Sequence, residues 1–231
     1  MQLVSSAQRA LDRMAIWFGP MSGKLDLPII EIPDGFGSQA SLTSGIIQSA
    51  AAFRSRDAIG QLYHALSHLW NAPDLDVRSP RWNEGLASFL EDLLTEQLDG
   101  WKDRDARAHR YAAWFLQRFD RDSTNRRTPF IQYGEAAKTD WSYGVGYFMF
   151  SALYETVGPE GFNRALGGYY QKHGKTGGTT RQFSDFVIAQ SPCDVKPLFD
   201  DWLYSAAWHE RLINAKQLKD LAYPCTLRAS R

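Results

Sequence analysis

Several features that mark particular classes of protein are scarce or missing in this chain of 231 residues. Lys plus Arg and Asp plus Glu both total 26, so the basic excess typical of nucleic-acid-binding surfaces is missing and we expect no nucleic-acid partner. No apolar run approaches the roughly 18 residues that a membrane span needs. Residues 1–19 mix charged with apolar side chains and lack the continuous apolar segment of a signal peptide.

Cysteine is also scarce, because Cys193 and Cys225 are the only two in the sequence. Two cysteines are too few for a disulfide scaffold. They could form one bridge that holds the C-terminal segment, or both could remain free thiols. The cysteine content therefore excludes a disulfide-rich fold and leaves the pairing open.

The apolar pattern changes along the chain from strand-like to helical. Branched residues alternate with polar ones before about residue 50, and apolar residues then recur at helical spacing. We expect an α+β fold, mostly α, with a small N-terminal sheet and a helical bundle. The pattern predicts strands over 24–33 and 42–48 and helices over 7–18, 57–70, 82–98, 104–119, 142–157, 159–173, 180–190 and 195–205.

The same pattern suggests how the domain is organised. Residues 1–55 would form a helix and the small β region, and residues 56–205 the helical region of the same domain. Residues 206–231 would follow as a C-terminal tail. No internal repeat or low-complexity linker divides the chain.

The segment His64-Ala65-Leu66-Ser67-His68 places two histidines four residues apart on a predicted helix. Residues at that spacing share one helix face, so both imidazoles can point at one metal ion. Zinc takes nitrogen, sulfur or oxygen ligands, and its catalytic sites use three protein ligands. Glu84, at the start of the next predicted helix, can supply the third. Two histidines at this spacing often arise by chance, so the prediction of a zinc site depends on Glu84 and on the motifs around it.

These motifs resemble the catalytic domain of the gluzincin zinc aminopeptidases, of the aminopeptidase N and leukotriene A4 hydrolase type. That family carries H-E-x-x-H and, further on, a Glu within an N-E-G-x-A-S segment, to which Asn83-Glu84-Gly85-Leu86-Ala87-Ser88 is similar. Tyr143-Gly144-Val145-Gly146 resembles the family's Y-x-K-G segment. The likeness extends over about residues 10–205.

The resemblance implies a thermolysin-like metallopeptidase domain that hydrolyses peptides with a zinc-activated water. It implies zinc as the cofactor and a peptide or protein segment as the partner in the cleft. His64, His68 and Glu84 would be the metal ligands. Tyr143 would stabilise the oxyanion, although in a chain this rich in aromatic residues it could equally be part of the core.

Three departures from the family's pattern bear on activity. Ala65 stands where the family has the Glu of H-E-x-x-H, and an alanine cannot accept a proton as a general base does. Gly37-Ser38-Gln39-Ala40 stands in place of the substrate loop G-x-M-E-N, so the Glu that would hold the α-amine of the peptide is missing at Ala40. Val145 replaces the lysine of Y-x-K-G. Three departures in separate segments favour natural divergence over one engineered substitution.

Other polar residues near these motifs admit more than one role. Asn83 could orient a metal ligand through a hydrogen bond to it, or cap the helix that begins there. Glu91 and Asp92 are predicted to be solvated on the outer part of that helix. Three further acids are predicted to be loop charges rather than a substitute base: Asp74, Asp76 and Glu135.

We therefore expect a zinc-binding protein of a metallopeptidase family in which peptide hydrolysis is weak or absent. The alternative is a non-catalytic pseudopeptidase that uses the cleft to hold a peptide or a protein segment. Metal analysis and the peptidase activity of an Ala65→Glu variant distinguish the two hypotheses.

Overall fold

The computed structural model describes residues 2–21, 27–36, 39–41, 45–55 and 58–225. Within these ranges the chain is mostly helical and carries one sheet of three strands towards its N-terminal end. The expected α+β fold with a preponderance of helix is confirmed. None of the helices in the described part of the chain has both the length and the apolar character that crossing a membrane requires.

The N-terminal region begins with helix α1 (Gln2–Phe18). It starts earlier than the predicted 7–18, because its buried apolar face already begins at Leu3 and continues through Ala7. Gly19 follows with a φ of 84°, a conformation that ends helices and suits glycine. The long first helix therefore lies against the core along most of its length.

Three short strands follow: β1 (Ile29–Ile32), β2 (Gln39–Ser41) and β3 (Gly45–Ser49). Their order in the sheet is β1-β3-β2, with β1 parallel and β2 antiparallel to β3. The predicted strands at 24–33 and 42–48 overlap β1 and β3, but residues 24–26 and 42–44 lie outside the described ranges. Strand β2 falls in the expected substrate loop and was not predicted.

Helix α2 (Ala50–Arg54) leads to the central helices α3 (Gly60–Ser67), α4 (Trp82–Asp99) and α5 (Arg104–Phe119). A single 3-10 turn, His68–Trp70, extends α3, so the helix predicted over 57–70 is observed as these two parts. Helix α3 packs against α4, and β2 contacts both α3 and the turn at 68–70. The sheet edge thus lies beside the helix that carries the two histidines.

Helix α6 (Ser142–His173) covers both of the helices predicted between 142 and 173. Gly158, with a φ of 71°, interrupts it just before Pro159, which is where the two predictions separate. Helices α4 and α6 approach closely, since a Cβ atom on Gly85 would lie 2.3 Å from the Cα of Gly146. This contact holds the first turn of α4 against the first turns of α6.

The C-terminal part contains α7 (Thr180–Gln190), α8 (Lys196–Phe199), a π-helical turn (Asp200–Tyr204) and α9 (Trp208–Asn214). The described part of residues 206–231, the expected C-terminal tail, packs on the core. It does so because it carries apolar side chains that become buried, such as Trp208 and Leu221. Cys193 and Cys225 form a disulfide, which ties this segment to the loop after α7.

Candidate metal centre

The pair α3 and α4 brings together the three predicted ligands. His64 lies in the last turn of α3, His68 follows at the start of the 3-10 turn, and Glu84 lies in the first turn of α4. Oε2 of Glu84 is 3.4 Å from Nε2 of His64 and 3.3 Å from Nε2 of His68. One ligand atom from each residue lies within 4.8 Å of the other two. We call these three residues the triad.

The spacing of these atoms suits a tetrahedral zinc site. Zinc lies about 2.0–2.1 Å from nitrogen and oxygen ligands, so two ligands of a tetrahedral ion are about 3.4 Å apart. The distances from Glu84 to the two histidines match this value, and they exceed the roughly 2.7–3.2 Å of ordinary hydrogen bonds. Two nitrogens and one carboxylate oxygen are also a donor set that zinc accepts. The residues present therefore fit this metal.

Each histidine has a polar partner on its other ring nitrogen. Oε2 of Glu91 lies 3.4 Å from Nδ1 of His64, and the side-chain amide of Asn71 lies 2.7 Å from Nδ1 of His68. Such partners fix the orientation and the tautomer of metal-binding histidines. Oδ1 of Asn71 is buried without a partner when Nδ2 faces His68, and the reversed amide would let Oδ1 accept from Nδ1–H. In that arrangement Nε2 of His68 is free to bind a metal.

Sequence reasoning missed both of these partners. The sequence predicted Glu91 as a solvated acid, and its side chain is 36% exposed, but the prediction did not include its contact with His64. Glu91 follows Glu84 by seven residues, which is two helical turns, and this spacing placed both acids on one face of α4. Asn71 follows His68 by three residues, a spacing that could also have been noticed. What the sequence did not show is that α3 packs along this face of α4.

The electrostatics of the triad follow from these contacts. Burial opposes protonation of His64, but the neighbouring carboxylates of Glu84 and Glu91 outweigh it and raise the pKa of His64 to about 9. Burial likewise opposes ionisation of Glu84, yet the two histidines and Arg81 hold the pKa of its carboxyl well below the usual range. The site thus holds positive charge next to an ionised carboxylate, and a metal ion that enters such a site displaces protons from its ligands.

Tyr143 and Arg81 complete the rim of the triad. The ring of Tyr143 stacks on that of His64 with centroids 5.9 Å apart and an interplanar angle of 20°. Nη2 of Arg81 donates to Oε1 of Glu84 at 2.5 Å, and its guanidinium carbon lies 6.0 Å from the centre of the Tyr143 ring. Burial and the Glu84 carboxylate raise the pKa of Tyr143, while Arg81 lowers it. The Tyr143 hydroxyl therefore keeps its proton at neutral pH and can act as a donor.

Ala65 and Asn83 lie next to the triad in sequence. Ala65 is 1% exposed within α3 and contributes no polar group. The N-cap position of α4 is occupied by Arg81, and the buried Oδ1 of Asn83 has no hydrogen-bond partner among the described residues. The cap predicted as one role of Asn83 is therefore wrong.

The predicted substrate loop is only partly described. Gly37 and Ser38 lie outside the described residues, whereas Gln39 and Ala40 belong to β2. The three acids that were considered as substitute bases have contacts or positions away from the triad. Asp74 accepts from Ser79, Asp76 accepts from Thr180, and Glu135 is exposed beside a separate cleft.

A cavity of about 530 Å³ has His64, but not His68, in its lining. Glu91 and Tyr143 line it together with Asp92 and Arg107. The prediction that Asp92 is solvated is wrong, because this carboxylate pairs with two arginines and accepts a hydrogen bond from a tyrosine. Its partners are Arg104, Arg107 and Tyr147. The cavity therefore has one wall at the triad and another at a buried ion-pair network.

Comparison with known proteins identifies the family. Residues 47–202, more than half of the chain, match the family model described as the Peptidase family M1 domain. No curated protein matches the sequence. The solved structures that are similar to the chain include M1 zinc metallopeptidases at 20–21% identity.

The M1 zinc metallopeptidase of Deinococcus radiodurans is 20% identical with a TM-score of 0.66, and the match covers 86% of this chain and 43% of that one. A mutant of the same protein bound to a Tyr-Ser-Ala substrate is 21% identical with a TM-score of 0.63, covering 84% and 43%. A mutant two-domain M1 zinc metallopeptidase bound to L-arginine is 20% identical with a TM-score of 0.59, covering 97% and 45%. These identities show a common fold, and the chain spans less than half of each of those structures. On the match to the family model, the chain belongs to peptidase family M1.

Proposed function

We propose that this chain binds zinc through the triad and hydrolyses peptides weakly or not at all. The observation that carries the proposal is the convergence of His64, His68 and Glu84, with Oε2 of Glu84 at 3.4 Å and 3.3 Å from Nε2 of the two histidines, as expected for two ligands of a tetrahedral ion. Membership of family M1 supports zinc as the metal. Asn71 and Glu91 support the same proposal, since each would hold one histidine in a metal-binding orientation.

The weak activity follows from the residues around the triad. Zinc bound there would supply a Lewis acid that polarises a carbonyl and lowers the pKa of water. Tyr143 would donate a hydrogen bond from its hydroxyl group to the negative oxygen that develops on the substrate. We propose that Ala65 replaces the general base, whose contribution is typically ~10²–10⁴-fold in rate. With a methyl group at this position, no side chain of α3 accepts the proton of the attacking water.

The second candidate is a pseudopeptidase that holds a peptide or a protein segment in the cleft. One observation favours it, since the cavity beside His64 is large enough for a side chain. The alanine at position 65, where we propose that a base is missing, agrees with such a role. A Glu-to-Ala mutant of the Deinococcus M1 zinc metallopeptidase holds a Tyr-Ser-Ala substrate. A protein of this fold with such a replacement can therefore hold a peptide, which supports the binding role.

Metal analysis and a peptidase assay test the proposal together. We expect about one zinc per chain after purification with zinc, and little cleavage of fluorogenic aminoacyl and peptide substrates. Ala65→Glu should raise the rate by roughly 10²-fold or more if only the base is missing. Ala65→Gln is the matched control, because it has nearly the same shape and cannot act as a base. Since Ala65 is buried, thermal unfolding of both variants shows whether the larger side chain is accommodated.

The outcomes separate the hypotheses. Peptidase activity that is restored in Ala65→Glu and not in Ala65→Gln supports a peptidase that lacks its general base. Bound zinc without recovery, in a folded Ala65→Glu variant, supports the binding role. A chain that binds no zinc would overturn the assignment of the triad.

A further inference from the structure

Arg81 places a guanidinium at the edge of the triad. Its Nη2 donates to Oε1 of Glu84, the oxygen that does not face the two histidines, and its side chain remains 42% exposed. A guanidinium has five N–H donors, so its interactions with Glu84 and Tyr143 leave donors that can reach a ligand. Its carbon lies 6.0 Å from the centre of the Tyr143 ring, and Tyr143 lines the cavity beside His64. A ligand that lies across the triad would therefore meet this cation.

The backbone of Arg81 is unusual in a way that bears on its side chain. Its φ of 55° and ψ of 44° are left-handed, a conformation that non-glycine residues seldom adopt. The backbone N–H of Arg81 donates to Oγ of Ser79, which holds this conformation in place. The residue precedes α4 directly, so its side chain is aimed from a defined position rather than from a mobile loop.

The strands that contact α3 carry no acid that would attract an α-amine instead. No Asp or Glu occurs between Asp34 and Asp57, the stretch that contains β2 and β3. Both strands contact α3, and β2 also contacts the turn at 68–70 that begins with His68. Ala40, in this strand, cannot pair with an amine.

The acids of α4 near the triad already have partners. Glu84 is shared by the two histidines and Arg81, and Glu91 faces Nδ1 of His64. Asp92 lines the cavity, but two arginines share its carboxylate. A free amine in the cleft would have to compete with these cations, whereas an anionic group would find the open face of Arg81.

We infer that Arg81 recognises a carboxylate on a peptide that lies across the triad, in place of recognition of a free α-amine. This inference rests on the proposed function for the metal and for the peptide. Charge-assisted hydrogen bonds from a guanidinium are well suited to the planar carboxylate. The carboxylate comes either from the C-terminus of the peptide or from an acidic side chain, since both present the same chemistry.

Calorimetric titration with four short peptides tests the inference. The probes are N-acetyl-Ala-Ala-Ala as the free acid, the same peptide as the C-terminal amide, N-acetyl-Ala-Asp-Ala amide, and Ala-Ala-Ala amide with a free amine. Each is titrated into the zinc-loaded chain and into the chelator-treated chain. We expect at least one acidic probe to bind about tenfold more tightly than the uncharged amide, as a hydrogen bond to a charged group predicts. Which acidic probe binds more tightly identifies the source of the carboxylate.

Arg81→Gln isolates the guanidinium from the metal, which itself attracts carboxylates. The variant should lose the roughly tenfold preference for the acidic probe, and Arg81→Lys should keep part of it. Arg78→Gln is the matched control, because Arg78 is exposed in the same loop and lines the separate cleft near Glu135. Zinc content is measured for every variant. If Arg81→Gln binds less zinc, the affinities of the acidic and amide probes are compared between the chelator-treated parent and the chelator-treated variant. A preference for the acidic probe that is lost in this comparison is due to the guanidinium and not to the metal.

Three results would overturn the inference: equal affinity for acid and amide, tightest binding of the free amine, or an equal loss for all probes in Arg81→Gln. The last would show that Arg81 only supports Glu84. Absence of zinc from the parent chain would instead overturn the proposed function, while discrimination by Arg81 could still be measured without metal. The two failures are thus distinguishable.

Discussion

The helices α3 and α4, here called the helical side, and the neighbouring strand β2, here called the strand side, differ in the polar groups that they carry. On the helical side, His64 and His68 lie next to Glu84. Glu91 contacts Nδ1 of His64, and Asn71 contacts Nδ1 of His68. On the strand side, β2 offers Gln39 and Ala40, in a stretch of sequence without any acid. The first side has the groups that we propose to bind zinc, and the second carries no acid that could pair with the amine of a substrate. In the proposed function, metal binding and peptide recognition would therefore depend on different parts of the fold.

Packing explains why the geometry of the helical side is so well defined. Gly85 lets α4 approach α6, and the residues that follow Glu84 on the inner face of α4 are buried. A ligand on such a helix cannot move without moving the core. Strand β2 has only three residues and one neighbouring strand, so its side chains are held by fewer contacts. Substitutions on the two sides should consequently have different kinds of effect.

The largest effect should come from Glu84→Ala, which breaks the helical side. The substitution removes one of three ligands and leaves Arg81 and both histidines without their shared carboxylate. We expect zinc affinity to fall by more than the roughly 10–100-fold that loss of an outer partner costs. Competition with a fluorescent chelator measures this. His109→Ala, an exposed histidine on α5, is the control, and zinc affinity within tenfold of the parent in Glu84→Ala would contradict the triad.

Asp92→Asn separates stability from metal binding on the same helix. Asp92 pairs with Arg107 and with Arg104, so its neutralisation removes one charged partner from each arginine, although Arg104 keeps Glu155. Loss of a hydrogen bond to a charged group costs about 1.5–3 kcal/mol, which corresponds to roughly 3–12 °C in Tm for a chain of this size. Thermal and urea unfolding measure the loss. Zinc affinity at a temperature where the variant is folded should be unchanged, and a parallel loss of zinc would show that the network supports the triad.

Glu91→Gln should lower zinc affinity and leave stability almost unchanged, which is the reverse of Asp92→Asn. The loss of zinc affinity should be smaller than in Glu84→Ala. The variant keeps the shape of Glu91 but removes the charge that faces Nδ1 of His64. We expect zinc affinity to fall by about 10–100-fold, with little change in the free energy of unfolding. The adjacent Asp92→Asn variant is the matched control, since it alters a neighbouring acid that does not contact a histidine. Unchanged zinc affinity would mean that Glu91 does not act through His64.

The sequence alone was enough to predict the triad and most of the helices. Four-residue spacing places His64 and His68 on one face, and apolar spacing predicted the bounds of α5 and α7. These features depend on neighbours within one or two helical turns. For the same reason the break in α6 could be predicted, because Gly158 and Pro159 cause it locally.

The remaining features depend on contacts between segments that are distant in sequence. Glu91 and Asp92 are adjacent in sequence, yet Glu91 contacts His64 on α3 and Asp92 pairs with arginines on α5. Their different partners follow from the packing of three helices and not from the local sequence. The parallel pairing of β1 with β3 likewise joins residues across a loop. The C-terminal segment is held by the Cys193–Cys225 bridge and by burial of Trp208, which the local pattern does not indicate.

The smallest effect should come from Ala40→Glu, which gives the strand side the acid that it lacks. Ala40 is half-buried in β2 beside α3, where a new carboxylate would remain partly solvated. Ion pairs in such positions contribute about 0.2–1 kcal/mol, so a tripeptide amide with a free amine should gain up to about fivefold in affinity over its N-acetylated form. Calorimetry on the zinc-loaded variant measures this, with Ala40→Gln as the uncharged control. A gain in the Glu variant alone would show that charge is what separates the strand side from the helical side. An equal gain in both variants would mean that β2 acts through its shape, and no gain in either would place β2 out of reach of the peptide.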